Sequence, residues 1–180
     1  MDDIIVIDDF LTEEEVLTIS NGENYSDDLW SLQGSVPDKG IDLPFWAEEI
    51  DTKLPYGLFF LRKDLMQYGY FTSYIFDKIK EKFNQDYKLE DVYMNGHEPL
   101  RNGSFHVDGD ADRTVVIYLP PYRPAWGGFT HLLKSATDHE IISPIPARLI
   151  NFKSSLLHKA YAFSNSNCPC RFSIAYKLKL

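Results

Sequence analysis

The triplet His106-Val107-Asp108, followed much later by His158 and then by Arg171, holds the residues of this chain whose types and spacing could do chemistry. Side chains on a β-strand alternate from face to face, so a histidine and an aspartate two positions apart project together. A second imidazole from a distant strand would complete a set of two nitrogens and one carboxylate oxygen. That set covers one face of an octahedral Fe(II) and leaves the opposite positions open to a substrate and dioxygen. Arg171 carries a planar fork that holds a carboxylate through paired hydrogen bonds, which suits an acidic co-substrate. Tyr118 could donate its phenol to the same carboxylate or be an ordinary core tyrosine. An HxD triplet alone is common by chance; the order HxD, His, Arg over successive strands gives the pattern its weight.

The elements that must position these residues fall into two regions. Ile4-Ile5-Val6-Ile7 reads as a strand, and Thr12 with Glu15 three positions on forms a capping box that starts a helix. Residues 22–44, rich in Gly, Asp, Ser and Pro, read as a long loop. Trp46 to Leu54 reads as a short helix ended by Pro55. Phe71, Tyr74, Ile75, Ile79 and Phe83 repeat at helical spacing, so Tyr70 to Phe83 reads as a helix with its lysines facing solvent. Beyond residue 88 come eight short runs, at 89–95, 103–108, 113–119, 127–133, 139–142, 147–152, 156–162 and 171–178. Turn-forming pairs such as Gly109-Asp110 and Ser143-Pro144 separate them. The expected fold is therefore mainly β with N-terminal helices (α+β). Its architecture would be a jelly roll of two facing sheets over 89–180, cupin-like, with 1–88 as a helical support covering one sheet in a single domain of 1–180.

Composition narrows the function. The chain has 180 residues, enough for one core, and 12 Phe and 11 Tyr favour a β-rich interior. The net charge of −9 argues against a nucleic-acid partner, since a phosphate backbone calls for a basic surface. The acidic start Met1-Asp2-Asp3 lacks the positive region of a signal peptide, and no apolar run approaches the ~20 residues of a membrane span, so a cytoplasmic protein is expected. Cys168 and Cys170 flank Pro169 too closely for an easy mutual disulfide and read as free thiols. His97, His131 and His139 read as exposed or hydrogen-bonded, with His131 the one worth testing as substrate-facing. Trp126 and the Pro120–Pro124 segment read either as a rim that closes over substrate or as a structural loop.

Several segments together resemble the 2-oxoglutarate- and iron(II)-dependent dioxygenases, in their prolyl hydroxylase-like branch. They are His106-Val107-Asp108, Thr114 through Leu119, Gly127-Gly128 with Thr130, Pro146 through Phe152, His158, and Arg171-Phe172-Ser173. The opening Ile7-Asp8-Asp9-Phe10-Leu11-Thr12-Glu13-Glu14-Glu15 resembles the family's start, whereas residues 22–88 match only in general character. The resemblance implies the double-stranded β-helix fold, with Fe(II) on His106, Asp108 and His158. It implies that Arg171 and Tyr118 hold the distal carboxylate of 2-oxoglutarate, assisted by Ser173, with Tyr93 a weaker co-substrate contact. Fe(II), 2-oxoglutarate and O2 would then be required, with ascorbate as a stimulant, and the products would be succinate, CO2 and a hydroxylated C–H bond.

An aspartate at 108, rather than a small residue, favours hydroxylation over halogenation. Because the imidazoles must be neutral to bind metal, activity is expected to fall in acid. Phe129 departs from the acidic residue many relatives carry after the two glycines, and Arg171 from the lysine of collagen-type enzymes. The substrate expected first is a protein or peptide side chain, with proline foremost. The alternatives are a small metabolite, free amino acid or nucleobase, and more distantly a binding module without catalysis.

Overall fold

The computed structural model describes residues 2–22, 31–35 and 58–180. Ten strands are described: β1 Ile4–Ile7, β2 Ser31–Ser35, β3 Leu58–Asp64, β4 Lys88–His97, β5 Arg113–Tyr118, β6 Thr130–Leu133, β7 His139–Ile142, β8 Leu149–Lys153, β9 Leu157–Ala160 and β10 Arg171–Lys179. They form a seven-stranded sheet in the order β1-β8-β5-β10-β4-β3-β2 and a three-stranded sheet in the order β7-β6-β9. Every pairing is antiparallel.

Two apolar clusters explain why the sheets sit as they do. Tyr118, Ile150 and Phe152 of the large sheet pack against Leu132 and Ile142 of the small one, closing the two layers face to face. The opposite face of the large sheet, with Val92, Met94, Val115, Ile117, Ile174 and Tyr176, is covered by Ile19, Phe71, Ile75 and Ile79 from the N-terminal helical segments. Strand alternation thus sends odd and even residues of β5 and β8 into two different cores. The expectation of helices over one sheet is met.

The helix α1, Glu13–Ser20, is started by the expected capping box: Glu15 N donates to Thr12 Oγ1 at 3.2 Å and Thr12 N to Glu15 Oε2 at 2.6 Å. The same Glu15 carboxylate takes Lys78 Nζ at 2.6 Å and Tyr74 Oη at 2.8 Å, which ties α1 to the second helical segment. That segment is not one continuous α-helix. Tyr70–Ile75 winds as a π-helix before α2, Phe76–Phe83. The wider turn buries Phe71, Ile75, Phe76 and Ile79 together while Tyr74 stays exposed.

Other expectations need correction. The segment read as a loop contains β2, which pairs with β3, so the region before residue 88 supplies strands as well as helices. Ser31-Leu32-Gln33-Gly34-Ser35 shows no clear apolar alternation, and strand pairing overrides its local preference. The run 103–108 is not a regular strand; it meets β9 through an isolated bridge of His106 with His158 and a bond from Gly103 N to Ala160 O at 2.8 Å. The chain then bends so that Asp108 N donates to Ser154 O at 2.9 Å, leaving the small sheet for the end of β8. The helix expected over 46–54 lies outside the described residues. Among the described residues, no helix is long and apolar enough to cross a membrane.

Candidate metal centre

Ligand atoms of His106, Asp108 and His158 lie within 4.8 Å of one another. The bridge sets the two histidines side by side, with His106 N donating to His158 O at 3.0 Å and His158 N to His106 O at 2.9 Å. Their rings stand 4.3 Å apart, and the His158 ring packs edge-on against Phe152 at 4.8 Å. Each Nδ1 is 2.9 Å from a main-chain carbonyl, Ser104 O for His106 and Leu156 O for His158. A carbonyl can only accept, so Nδ1 carries the proton and Nε2 keeps its lone pair for a metal. His106 Nε2 is 3.6 Å from Asp108 Oδ1, and His158 Nε2 is 3.3 Å from Asp108 Oδ2. Two oriented imidazoles and a carboxylate fit a divalent transition metal such as Fe(II).

The carboxylate is anchored from the large sheet. Asp108 Oδ2 accepts from Thr114 Oγ1 at 2.6 Å and pairs with Lys177 Nζ. Thr114 is backed by Ser154 Oγ at 2.9 Å. Burial by itself raises the Asp108 carboxyl, but His158 and Lys177 outweigh it and hold it well below the usual carboxylate range. Burial pushes His158 down with Asp108 opposing it, whereas for His106 burial also pulls downward but Asp108 and the Ser104 carbonyl outweigh it and hold the ring above its ordinary value. For Lys177, burial pulls downward, yet Tyr93 and Asp108 raise it, so it remains an ammonium.

At the other end, Arg171 is 2% exposed and stands opposite His97 in the β10–β4 ladder. Its Nε donates to Gly128 O at 2.7 Å and its Nη2 to Thr130 Oγ1 at 3.0 Å. A guanidinium has five N–H donors, so these bonds aim the fork without exhausting it. Tyr118 lies under Arg171, 5.2 Å from guanidinium carbon to ring centre, and donates to Thr130 Oγ1 at 2.7 Å. Burial pushes the Tyr118 phenol up, so it stays a donor. Ser173 sits beside it, paired with Tyr118 on one side and Asn95 on the other.

Gly128 makes the close approach possible, with φ of +78° and an added Cβ that would lie 2.7 Å from the Phe163 ring and 3.3 Å from Arg171 Cδ. Gly128→Ala is expected to cost about 2–4 kcal/mol, combining backbone strain with overpacking. A urea titration of the variant checks it, and an unchanged midpoint would refute it.

A cavity of about 300 Å3 joins the two ends. Arg171, Thr130, His97 and Ala160 line one end, and Lys177, Tyr93, Asp108 and Thr114 the other. Tyr93 is opposite Ala175 in the ladder, which sets it beside Lys177 and away from Arg171. Asn95 Oδ1 is buried in the wall and has no hydrogen-bond partner among the described residues. A neighbouring depression shares Tyr93, Asp108 and Lys177 with the cavity and reaches Arg62, Asp91 and Asp110.

Lys177, Thr114, Thr130, Asn95 and His97 were not picked out as site residues from sequence. Alternation from Arg171 through Ser173 and Ala175 was the available signal for Lys177. His131 is hydrogen-bonded, as the plain reading of the spare histidines expects, and its placement goes against a substrate-facing role. It faces away from the cavity, with Nε2 2.8 Å from His139 Nδ1 and its ring 5.5 Å from Phe105. On β6 it alternates with Thr130 and Leu132, which take the inner face. Trp126 packs on Phe163 at 5.2 Å and is not among the residues around the cavity, which agrees with the structural-loop alternative.

His97 is buried beside Arg171, and burial, then Arg171, pull it down to about 3. The unfolded histidine titrates near 6.5, so below that pH the unfolded chain takes a proton that the native state refuses. Stability is therefore full above 6.5 and falls with pH until about 3. From pH 7 to pH 5 this histidine is expected to remove roughly 2 kcal/mol. Urea titrations at both pH values check the loss, and His97→Gln should flatten the slope.

No family model and no curated protein matches the sequence significantly. Solved structures do match in fold. An oxidoreductase of the 2OG-Fe(II) oxygenase family from Burkholderia pseudomallei superposes with a TM-score of 0.72 at 12% identity, over 98% of this chain and 85% of that one. The viral collagen prolyl hydroxylase of Paramecium bursaria Chlorella virus-1, solved as its 2OG complex, gives 0.62 at 16% identity, over 98% and 96%. A prolyl hydroxylase from Trichoplax adhaerens, in complex with a hypoxia inducible factor oxygen degradation domain peptide fragment, gives 0.58 at 16%, over 99% and 84%.

Proposed function

We infer that the chain, which shares the fold of 2OG-Fe(II) oxygenases and prolyl hydroxylases over nearly its whole length, uses its His-Asp-His cluster to hold a metal. We propose that it is an Fe(II)- and 2-oxoglutarate-dependent dioxygenase built on a double-stranded β-helix. The observation that carries this reading is the cluster itself: two imidazoles with Nε2 exposed by main-chain bonds at Nδ1, beside one carboxylate, at one end of a cavity whose other end is Arg171. A five-carbon diacid has one end for the metal and one for the arginine. Iron and 2-oxoglutarate, when bound, supply the activation of dioxygen for C–H hydroxylation, with succinate and CO2 released.

The chain's own residues do the arranging. Ser104 O and Leu156 O fix the imidazole tautomers, and Thr114 and Lys177 hold one oxygen of Asp108. Arg171, aimed by Gly128 O and Thr130, takes the distal carboxylate, with Tyr118 stacked beneath it and Ser173 adjacent. Val116, Phe152 and Ala175 give the cavity an apolar wall that limits water. Tyr93 belongs to the metal end, where it contacts what approaches the metal rather than the distal carboxylate.

The depression beyond Tyr93 and Lys177 opens the metal end toward the surface. That favours a side chain presented from outside, so a protein or peptide substrate, with proline first, is the leading reading. Iron-dependent release of succinate, with a gain of one oxygen in the mass of a proline-containing peptide, tests it. Absence of any iron-dependent 2-oxoglutarate turnover, even without substrate, would overturn the enzyme reading. Turnover stimulated only by small metabolites would overturn the peptide reading.

A further inference from the structure

Asp108 is anchored differently from the two histidines, and its anchor carries charge. Main-chain carbonyls orient His106 and His158, whereas Asp108 Oδ2 is held by the Thr114 hydroxyl and the Lys177 ammonium. The pair is enclosed, with side-chain exposure of 14% for Lys177 and 6% for Asp108. The cation also lies 5.8 Å from the Tyr93 ring centre and 3.4 Å from Thr114 Oγ1. Its place follows from alternation on β10, where Arg171, Ser173, Ala175 and Lys177 all line the cavity. One strand therefore delivers a cation to each end.

Resting on the metal- and 2-oxoglutarate-dependent reading above, we propose that Lys177 is an electrostatic positioning residue that weakens binding of the bare metal and strengthens binding of the 2-oxoacid dianion. The signs follow from charge alone. An arriving dication meets the ammonium already seated on its carboxylate ligand, so Lys177 opposes it. An arriving dianion is drawn to the same ammonium, so Lys177 favours it. In an enclosed site such interactions are screened far less than at the surface. A purely structural lysine would act otherwise: its loss would loosen Asp108 and weaken both ligands together.

The test is calorimetric and needs no turnover. Mn(II) is titrated into the metal-free protein, and 2-oxoglutarate into the Mn(II)-loaded protein, for wild type, Lys177→Met, Lys177→Gln and Lys177→Arg. Loss of the charge is expected to tighten Mn(II) binding and to weaken 2-oxoglutarate by roughly tenfold or more. Lys177→Arg should stay near wild type for both ligands. Lys177→Gln, which keeps a donor for Asp108 Oδ2 without the charge, should follow Lys177→Met, and it carries the test where the methionine variant does not fold.

Parallel weakening of both ligands, unchanged 2-oxoglutarate affinity, or wild-type behaviour of Lys177→Gln would each overturn the role given to Lys177. A wild type that binds neither Mn(II) nor 2-oxoglutarate would instead overturn the reading on which it rests.

Discussion

His158→Ala is expected to abolish metal binding and all 2-oxoglutarate turnover while leaving a folded protein. His158 supplies one of the three candidate ligand side chains that cluster among the described residues, and its Nε2 faces Asp108 at 3.3 Å. Removing a group that merely supports a ligand costs about 10–100-fold in metal affinity, so removing a ligand should exceed that range. The strand around it is held by main-chain bonds to His106 and by pairing with β6, none of which needs the imidazole. The lost contact with Phe152 costs stability, but on the order of 1–3 kcal/mol rather than the fold. Calorimetry with Mn(II), beside a circular dichroism melt, separates the two effects. A folded variant that still binds Mn(II) like wild type would remove the basis of the proposed function. A non-catalytic binding module, its metal structural or absent, predicts instead that binding of its own ligand survives His158→Ala and Asp108→Ala.

Arg171→Ala should weaken 2-oxoglutarate by roughly 100-fold or more, within the 2–5 kcal/mol typical of truncating one partner of a buried charged pair. The arginine is buried and aimed by two bonds before any ligand arrives, so little of its binding energy is spent on ordering it. Arg171→Lys keeps the charge but not the fork, and should recover only part of the loss. A 2-oxoacid lacking the distal carboxylate should bind wild type and Arg171→Ala alike. Loss of affinity for that shorter acid too would mean that the substitution had disturbed the cavity rather than the carboxylate contact. Gly128 O loses the Arg171 donor in the alanine variant while Thr130 Oγ1 keeps the Tyr118 hydroxyl, so a stability cost of about 1–3 kcal/mol accompanies the binding defect.

What could be read from the residues followed from short-range rules. Alternation put His106 with Asp108, and Arg171 with Ser173, because a strand has only two faces. The capping box fixed the start of α1 because Thr12 and Glu15 satisfy each other's backbone groups within a single turn. Helical spacing marked Tyr70 to Phe83, though not the π turn at its start, which responds to the packing of Phe71 and Ile75 beneath the large sheet. β2 was missed because Ser31 to Ser35 shows no alternation, and its pairing with β3 gives it strand structure. That His131 turns away from the cavity toward His139 depends on the register of β6 with β9, which no local pattern encodes.

The sequence by itself determined which side chains could form a metal set, the order in which they arrive, and the strand that carries an arginine beyond them. Tertiary structure alone decided that Lys177 meets Asp108, that His97 lies against Arg171, and that Tyr93 stands beside Lys177 at the Asp108 end of the cavity. Each of those contacts joins residues far apart in the chain, through the pairing of β10 with β4 and β5 and the bend that carries Asp108 off the small sheet. Register is set by the burial of whole sheet faces, a property of the assembled sandwich that no single segment contains.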